Sequence, residues 1–374
     1  MIYLDYQATT PLASEARAAM MPWLEADAFG NPHSSHKEGR RAAAAVEAAR
    51  AQIMTALGAT SGRLVFTSGA TEAVNLAIKG LAAGTPPARR HIVTIATEHA
   101  CVLDCCHWLE TQGWRVTRLP VGADGLVDLD LAAAAIDDTT ALVCAMLVNN
   151  EIGVVQPVAG LGALAHAAGA RLLCDAVQGF GRVPVPPDAC DLVAISAHKL
   201  FGPKGIGALW LRDGVSLEPL IHGGGQEGGL RSGTLSPALC AGFGAAAALA
   251  ASRTNRDAQD VEALWALSQP LLANGWTLNG SADQRWHGNL SIRRDGLDAS
   301  RLISELRHIA LSAGSACASG SGRPSHVLKA IGLDDRQARS TLRIGFGRGT
   351  DPQAFAGALA EIDDAARRQT RFAA

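Results

Sequence analysis

The stretch "DLVAISAHKLFGPKG" (Asp191 to Gly205) carries an apolar run into a histidine, a lysine and a Gly-Pro-Lys-Gly turn. Leu192 to Ile195 is apolar at every position, without the alternation of a strand that faces water on one side. It reads as a strand buried on both faces, with a cationic amine, Lys199, set just past its end. Working outward, the same design recurs. "RLVFTSG" (63–69), "HIVTIAT" (91–97), "ALVCAMLVNN" (141–150), "RLLCDAVQG" (171–179) and "IGALWLR" (206–212) are short β-rich apolar runs. Ala-rich helical stretches separate them, among them 70–79 and "VAGLGALAHAAGA" (158–170). Such alternation indicates an α/β fold with a mainly parallel sheet covered on both faces. In sheets of this kind ligands collect beyond the carboxyl ends of the strands. The polar residues cluster there: Thr67-Ser68-Gly69, Glu98-His99, Asn149-Asn150, Asp175, and Ser196 to Lys199.

At 374 residues the chain exceeds the size at which one hydrophobic core stops growing, so two subdomains are expected. The larger is placed at residues 13–252; the smaller joins residues 1–12 to 253–374. After Ser252 a polar-faced helix opens a new pattern, and "GNLSI" (288–292) and "STLRIGFGRGT" (340–350) read as short strands. "HKEGRRAAAAVEAARAQIMTALG" (36–58) is a long helix by propensity and apolar spacing. A formal charge of -2 offers no electrostatic case for nucleic acid or an anionic membrane. The N-terminus shows no secretory pattern, and "LCAGFGAAAALAAS" (239–252) is too short to span a bilayer. The expected location is cytoplasmic. None of the eight cysteines has CxxC spacing, which excludes a zinc ribbon or a thioredoxin-like motif. Cys101, Cys105 and Cys106 are expected to pack on a helix, and Cys144, Cys174 and Cys240 within apolar runs. Cys317 differs, lying in the Gly- and Ser-rich "SAGSACASGSGRPSH" (312–326).

In "TSGATEAVNLA" (67–77) a glycine-containing turn opens a helix with Ala70 and Thr71 at its start. Free N–H groups and the helix dipole there favour a bound phosphate, although a purely structural cap uses the same residue types. The glycine spacing is not that of a Walker loop, and no GxGxxG opens the first βα turn. Asp175 closes a strand whose apolar run is "LLC". A carboxylate there needs a cationic or protonated partner, such as a protonated pyridine nitrogen, although a helix cap or a salt bridge to a core arginine would use the same residue. Gln178, one turn on, can donate to a phenolate oxygen. A partly desolvated lysine such as Lys199 can form a Schiff base with an aldehyde cofactor, with Ser196 and His198 beside Thr71 at one phosphate.

The stretches "YLDYQATTP", "GNPHSSHKEGR", "FTSGATEAVN", "TEHACV", "NNEIGVVQP", "CDAVQGFG", "SAHKLFGPKG", "GGGQEGGLRSGT", "SAGSACASG" and "LRIGFGRGT" follow one another in order from residue 3 to residue 350. Together they resemble the NifS-like cysteine desulfurases, pyridoxal-phosphate (PLP) enzymes within the class-V aminotransferase grouping. The resemblance implies the fold type I of PLP-dependent transferases, a large domain with a mainly parallel, seven-stranded sheet and a smaller α+β domain. It implies pyridoxal 5'-phosphate bound through Lys199, with Ala70, Thr71, Ser196 and His198 at the phosphate. Thr234 corresponds to a phosphate contact from the neighbouring subunit of a homodimer. His99 corresponds to the histidine stacked on the ring and a proton shuttle, Asn150 and Gln178 to contacts on the phenolic side, and Asp175 to the partner of the pyridine nitrogen. Arg343 corresponds to the arginine that grips the substrate carboxylate, with Asn31 and Asn150 nearby. Cys317 corresponds to the nucleophile that takes sulfur from L-cysteine as a persulfide, leaving L-alanine. The implied partner is a sulfur-acceptor protein, an iron-sulfur scaffold or a tRNA-thiolation protein, with no direct nucleic-acid contact. No resident metal is implied, though Cys317 is permitted as a transient iron-sulfur ligand. Gln7 stands where the family more often has another small polar residue.

A PLP transaminase, or a β-lyase such as selenocysteine lyase, would share Lys199, Asp175 and the phosphate contacts without needing Cys317. A sulfur-docking scaffold that has lost catalysis is opposed by the joint presence of Lys199, Asp175, His99, Cys317 and Arg343. A nucleotide-binding dehydrogenase lacks its Gly-rich first turn.

Overall fold

The computed structural model describes residues 1–314 and 324–371. Its strands are β1 (Ile2–Tyr3), β2 (Arg63–Thr67), β3 (His91–Ile95), β4 (Arg115–Leu119), β5 (Thr140–Met146), β6 (Arg171–Asp175), β7 (Leu192–Ser196), β8 (Gly207–Leu211), β9 (Thr277–Leu278), β10 (Asn289–Arg293), β11 (Ile309–Ala310) and β12 (Thr341–Gly345). Its α-helices are α1 (Ser14–Met20), α2 (Lys37–Leu57), α3 (Ala70–Ala83), α4 (Ala100–Thr111), α5 (Leu129–Ala135), α6 (Val158–Ala167), α7 (Pro237–Ala273), α8 (Ala299–Glu305), α9 (His326–Ala330), α10 (Asp335–Arg339) and α11 (Pro352–Arg371).

A seven-stranded sheet runs in the order β2-β8-β7-β6-β5-β3-β4. β4, β3, β5, β6 and β7 are parallel, and β8 runs against both of its neighbours. The apolar runs lack alternation because both faces are covered. Phe66, Ile95, Ala145, Cys174, Ile195 and Trp210 enter one core with α2, α6 and α7. Their neighbours Val65, Leu142, Leu173, Ala194 and Leu209 enter the opposite core with α3 and α4. β4 departs from this rule: it is one of the two sheet edges, its "RVTRL" is only partly buried, and no continuous apolar run marks it.

α7 runs through Ser252 without a break, where the sequence reading placed a change of pattern. Its first half buries Phe243, Ala247 and Ala250 against the large sheet. Its second half buries Val261, Leu264 and Leu271 in another core, with Leu4, Ile292, Leu342, Ile344 and Phe355. Close approach to α2 requires Gly244, since a Cβ there would lie 2.6 Å from Ala49 Cα. Around the second core β10 pairs antiparallel with β9 and β12, and β1 pairs parallel with β11. Asp5 then bridges to Gly345, bringing the N-terminal segment and the end of β12 over the carboxyl edge of the large sheet. Among the described residues no helix is long and apolar enough to cross a membrane.

Candidate active site

β2, β3, β5, β6 and β7 all end at one edge of the sheet, against a cleft of about 1030 Å³. The start of α3 contributes Ala70 and Thr71, the turn after β3 contributes His99, and the turn after β5 contributes Asn150. Asp175 and Gln178 come from the end of β6, Ser196, His198 and Lys199 from the end of β7, and Arg343 from β12. Asn31 and Thr234 are exposed and are not among the residues lining the cleft. Asn31 Oδ1 instead accepts the His33 N–H at 2.9 Å. Cys317 lies outside the described residues. C-terminal to it, Ser325 Oγ donates to the buried Glu151 carboxylate at 2.5 Å, and Glu151 lines the cleft.

α3 begins without a side-chain cap, so its first-turn N–H groups are satisfied by no capping side chain. Ser196, His198 and Lys204 line the cleft with that helix start. Gly207 keeps the approach open: a Cβ there would lie 2.7 Å from the Gly69 carbonyl carbon and from Ile195 O. His198 is pushed down to about 4 by burial and by Lys199, Lys204 and Arg182. It is therefore a neutral ring at pH 7, with Nδ1 3.1 Å from Thr9 Oγ1.

Asp175 is buried, and its Oδ1 accepts the Val177 N–H at 3.0 Å. Burial raises its pKa, while that N–H, His99 and Lys199 favour the charged form. Beside it Glu98, fully buried, is pushed well up by desolvation and by the Asp175 charge. Its Oε1 accepts the Met146 N–H at 2.6 Å and its Oε2 has no partner among the described residues, the pattern of a neutral acid. Sequence reasoning noticed Glu98 at a strand end and gave it no role. His99 caps α4, with Nδ1 accepting the Cys101 N–H at 3.2 Å. An accepting Nδ1 places the proton of the neutral ring on Nε2.

Lys199 Nζ donates to Gln7 O at 2.6 Å and Ala8 O at 2.7 Å. Neither carbonyl was foreseen, because the partners are main-chain atoms from the other end of the chain. Arg343 is buried; Nη2 donates to Asp5 Oδ1 at 2.8 Å, Nη1 to Asn150 O at 3.2 Å, and Nε has no partner among the described residues. Cys101 packs against the α3–α4 core as expected and also lines the cleft, whereas Cys105 and Cys106 are buried within that core. Burial, Asp175 and Glu98 hold the Cys101 thiol well above the usual range, so it stays protonated. An uncapped helix N-terminus, an amine and a nearly bare buried carboxylate in one cleft form a donor set that fits a phosphorylated pyridine aldehyde.

A model of the "Aminotransferase class-V" family matches residues 2–353. The chain belongs to this family. Class-V relatives include "Cysteine desulfurase IscS" of Rickettsia bellii (strain OSU 85-389), 45% identical over 360 residues, spanning 94% of this chain and 88% of that protein. The protein of the same name from Rickettsia typhi (strain ATCC VR-144 / Wilmington) is 44% identical over 363 residues, with the same coverage. Among solved structures, a "NifS-like protein" superposes with a TM-score of 0.91 at 31% identity, covering 97% of this chain and 98% of its own. A structure described as "SspA in complex with cysteine" matches at 38% identity and a TM-score of 0.83, over 92% and 99%. Members of this class-V family are PLP enzymes, and the fold is the type I fold of PLP-dependent transferases.

Proposed function

We propose that this chain is a PLP-dependent cysteine desulfurase, converting L-cysteine to L-alanine and carrying the sulfur on Cys317 as a persulfide. The observation that carries the reading is the meeting of Lys199, Asp175 and Arg343 at one cleft. In this reading Ala70, Thr71, Ser196 and His198 hold the phosphate, Asn150 and Gln178 take the phenolic side, and Asp175 faces the pyridine nitrogen. When bound, the cofactor supplies an electron sink for the substrate's reacting carbons. Arg343 binds the substrate carboxylate, with Asp5 fixing its guanidinium and Asn31 assigned nearby. The Lys199 amine moves the proton at the substrate Cα, and His99 donates or takes a proton at Nε2. The Cys317 thiolate attacks the substrate sulfur; the sulfur–sulfur bond forms, the carbon–sulfur bond breaks, and its electron pair takes up a proton to give alanine.

Residues 13–252 are read as the cofactor domain and residues 1–12 with 253–374 as the smaller one. The core shared by Leu4, the second half of α7 and β12 supports that division. We read the protein as a homodimer in which Thr234 serves the neighbouring subunit, supported by its exposure outside this chain's own cleft. A sulfur-acceptor protein is the expected partner. The test supplies L-cysteine to the purified protein and to Cys317→Ala, then quantifies alanine and persulfide. Wild type is expected to make both; the variant is expected to lose both while keeping its cofactor absorbance. Sulfur release by the variant at the wild-type rate would refute Cys317 as the nucleophile and leave a lyase.

A further inference from the structure

Arg182 lies against Gln178 and Lys199, and no role above uses it. Nη1 donates to Gln178 Oε1 and, at 3.2 Å, to Gln178 O; Nη2 donates to Lys199 O at 2.6 Å. Its guanidinium stacks over Trp286, 4.4 Å from the ring centroid. No carboxylate accompanies it among the described residues, and desolvation alone pushes it down to about 9. The bonds close a circuit. Gln178 Nε2 donates to Gln7 O at 2.9 Å, the same carbonyl that accepts from Lys199 Nζ, and Arg182 joins Gln178 to Lys199 on the other side.

The chemistry of this circuit allows the Gln178 amide one orientation. A guanidinium only donates and a main-chain carbonyl only accepts, so Oε1 must face Arg182 and Nε2 must face Gln7. Flipping the amide would set donor against donor and acceptor against acceptor. The amide nitrogen then retains a second proton beyond the one given to Gln7, and Gln178 lines the cleft. We infer that Arg182 is a positioning residue that holds Gln178 as a hydrogen-bond donor toward an anionic ring oxygen of the cofactor. The inference rests on the proposed cofactor reading of Gln178 and Lys199.

The test uses purified holoenzyme carrying Arg182→Met, Arg182→Lys, Gln178→Leu, or the last combined with each Arg182 change. Each is titrated with pH and followed by cofactor absorbance, and PLP affinity is measured by adding PLP to the apoprotein. Arg182→Met is expected to shift the midpoint of the absorbance titration and to weaken PLP binding roughly tenfold, the scale of one charge-assisted hydrogen bond. Arg182→Lys keeps the charge but cannot span both acceptors, and is expected to fall between wild type and Arg182→Met. In the Gln178→Leu background neither change is expected to move the midpoint further. A wild-type midpoint and affinity in folded Arg182→Met would overturn the inference, and so would an equal shift with and without Gln178. If Arg182→Met does not fold, the Arg182→Lys pair decides: a shift that needs Gln178 supports the inference, and no shift overturns it. Wild-type protein that shows no PLP absorbance, or no borohydride-fixed adduct at Lys199, would refute the cofactor reading itself. That result precedes every Arg182 comparison and takes the inference with it.

Discussion

Replacing Glu227 with alanine should destabilise the protein by about 3 kcal/mol, a figure built from its contacts. Glu227 sits at φ 49, the left-handed region, which costs a non-glycine residue about 1–2 kcal/mol. Its side chain holds it there. Oε2 accepts the Phe66 N–H at 2.7 Å and Arg50 Nη1 at 2.9 Å, and Oε1 accepts Arg50 Nη2 at 2.8 Å. Breaking a fully buried ion pair costs about 3–5 kcal/mol. Here the Arg50 side chain keeps 20% exposure, so the loss is discounted to about 1.5–2 kcal/mol. The orphaned Phe66 N–H adds about 1–2 kcal/mol. Alanine pays the same backbone strain and recovers nothing. Glycine relieves that strain and should lose about 1 kcal/mol less than alanine. Urea unfolding at one fixed protein concentration, extrapolated linearly, measures both variants. A loss under about 1 kcal/mol for Glu227→Ala would refute the reasoning about the bonds. Equal losses for alanine and glycine would refute the reasoning about strain. Phe66 lies in β2, one residue before Thr67 leads into the start of α3, so the measurement also probes what holds the proposed phosphate turn.

His198 predicts a specific pH dependence. Its folded value of about 4 lies below the ordinary value near 6.5, so between them the unfolded chain binds a proton that the folded protein refuses. Stability should fall as pH drops from about 6.5 toward 4, and His198→Asn should flatten that fall in melting curves of the cofactor-free protein. Parallel curves for the two proteins would contradict it. Gly207→Ala should weaken PLP binding at least about tenfold, because the new Cβ meets main-chain atoms of Gly69 and Ile195 that cannot turn aside. Gly357→Ala, with nothing within 4 Å of its new Cβ, is the control and should bind PLP like wild type. Unchanged affinity in Gly207→Ala would show that the notch beside Gly69 does not serve the cofactor.

Local pattern carried much of this molecule. A strand buried on both faces carries a mostly apolar run without alternation, so β3, β5, β6 and β7 could be read from their runs. Polar residues directly after such runs have no core to enter, which brought Asp175, His99 and Lys199 to notice together. β4 escaped because an edge strand half-open to water needs no such run, and the single span of α7 escaped because its two halves face different cores. Tertiary structure alone decided the rest. Lys199 bonds to Gln7 and Ala8 across separations of 192 and 191 residues, and Arg343 to Asp5 across 338. No periodicity links such distant positions; they meet only because β1 pairs with β11 and carries the N-terminal segment across the cleft. Arg182 was invisible for the same reason. Its role depends on which atoms accept its protons, and that is set by packing rather than by its place in the chain.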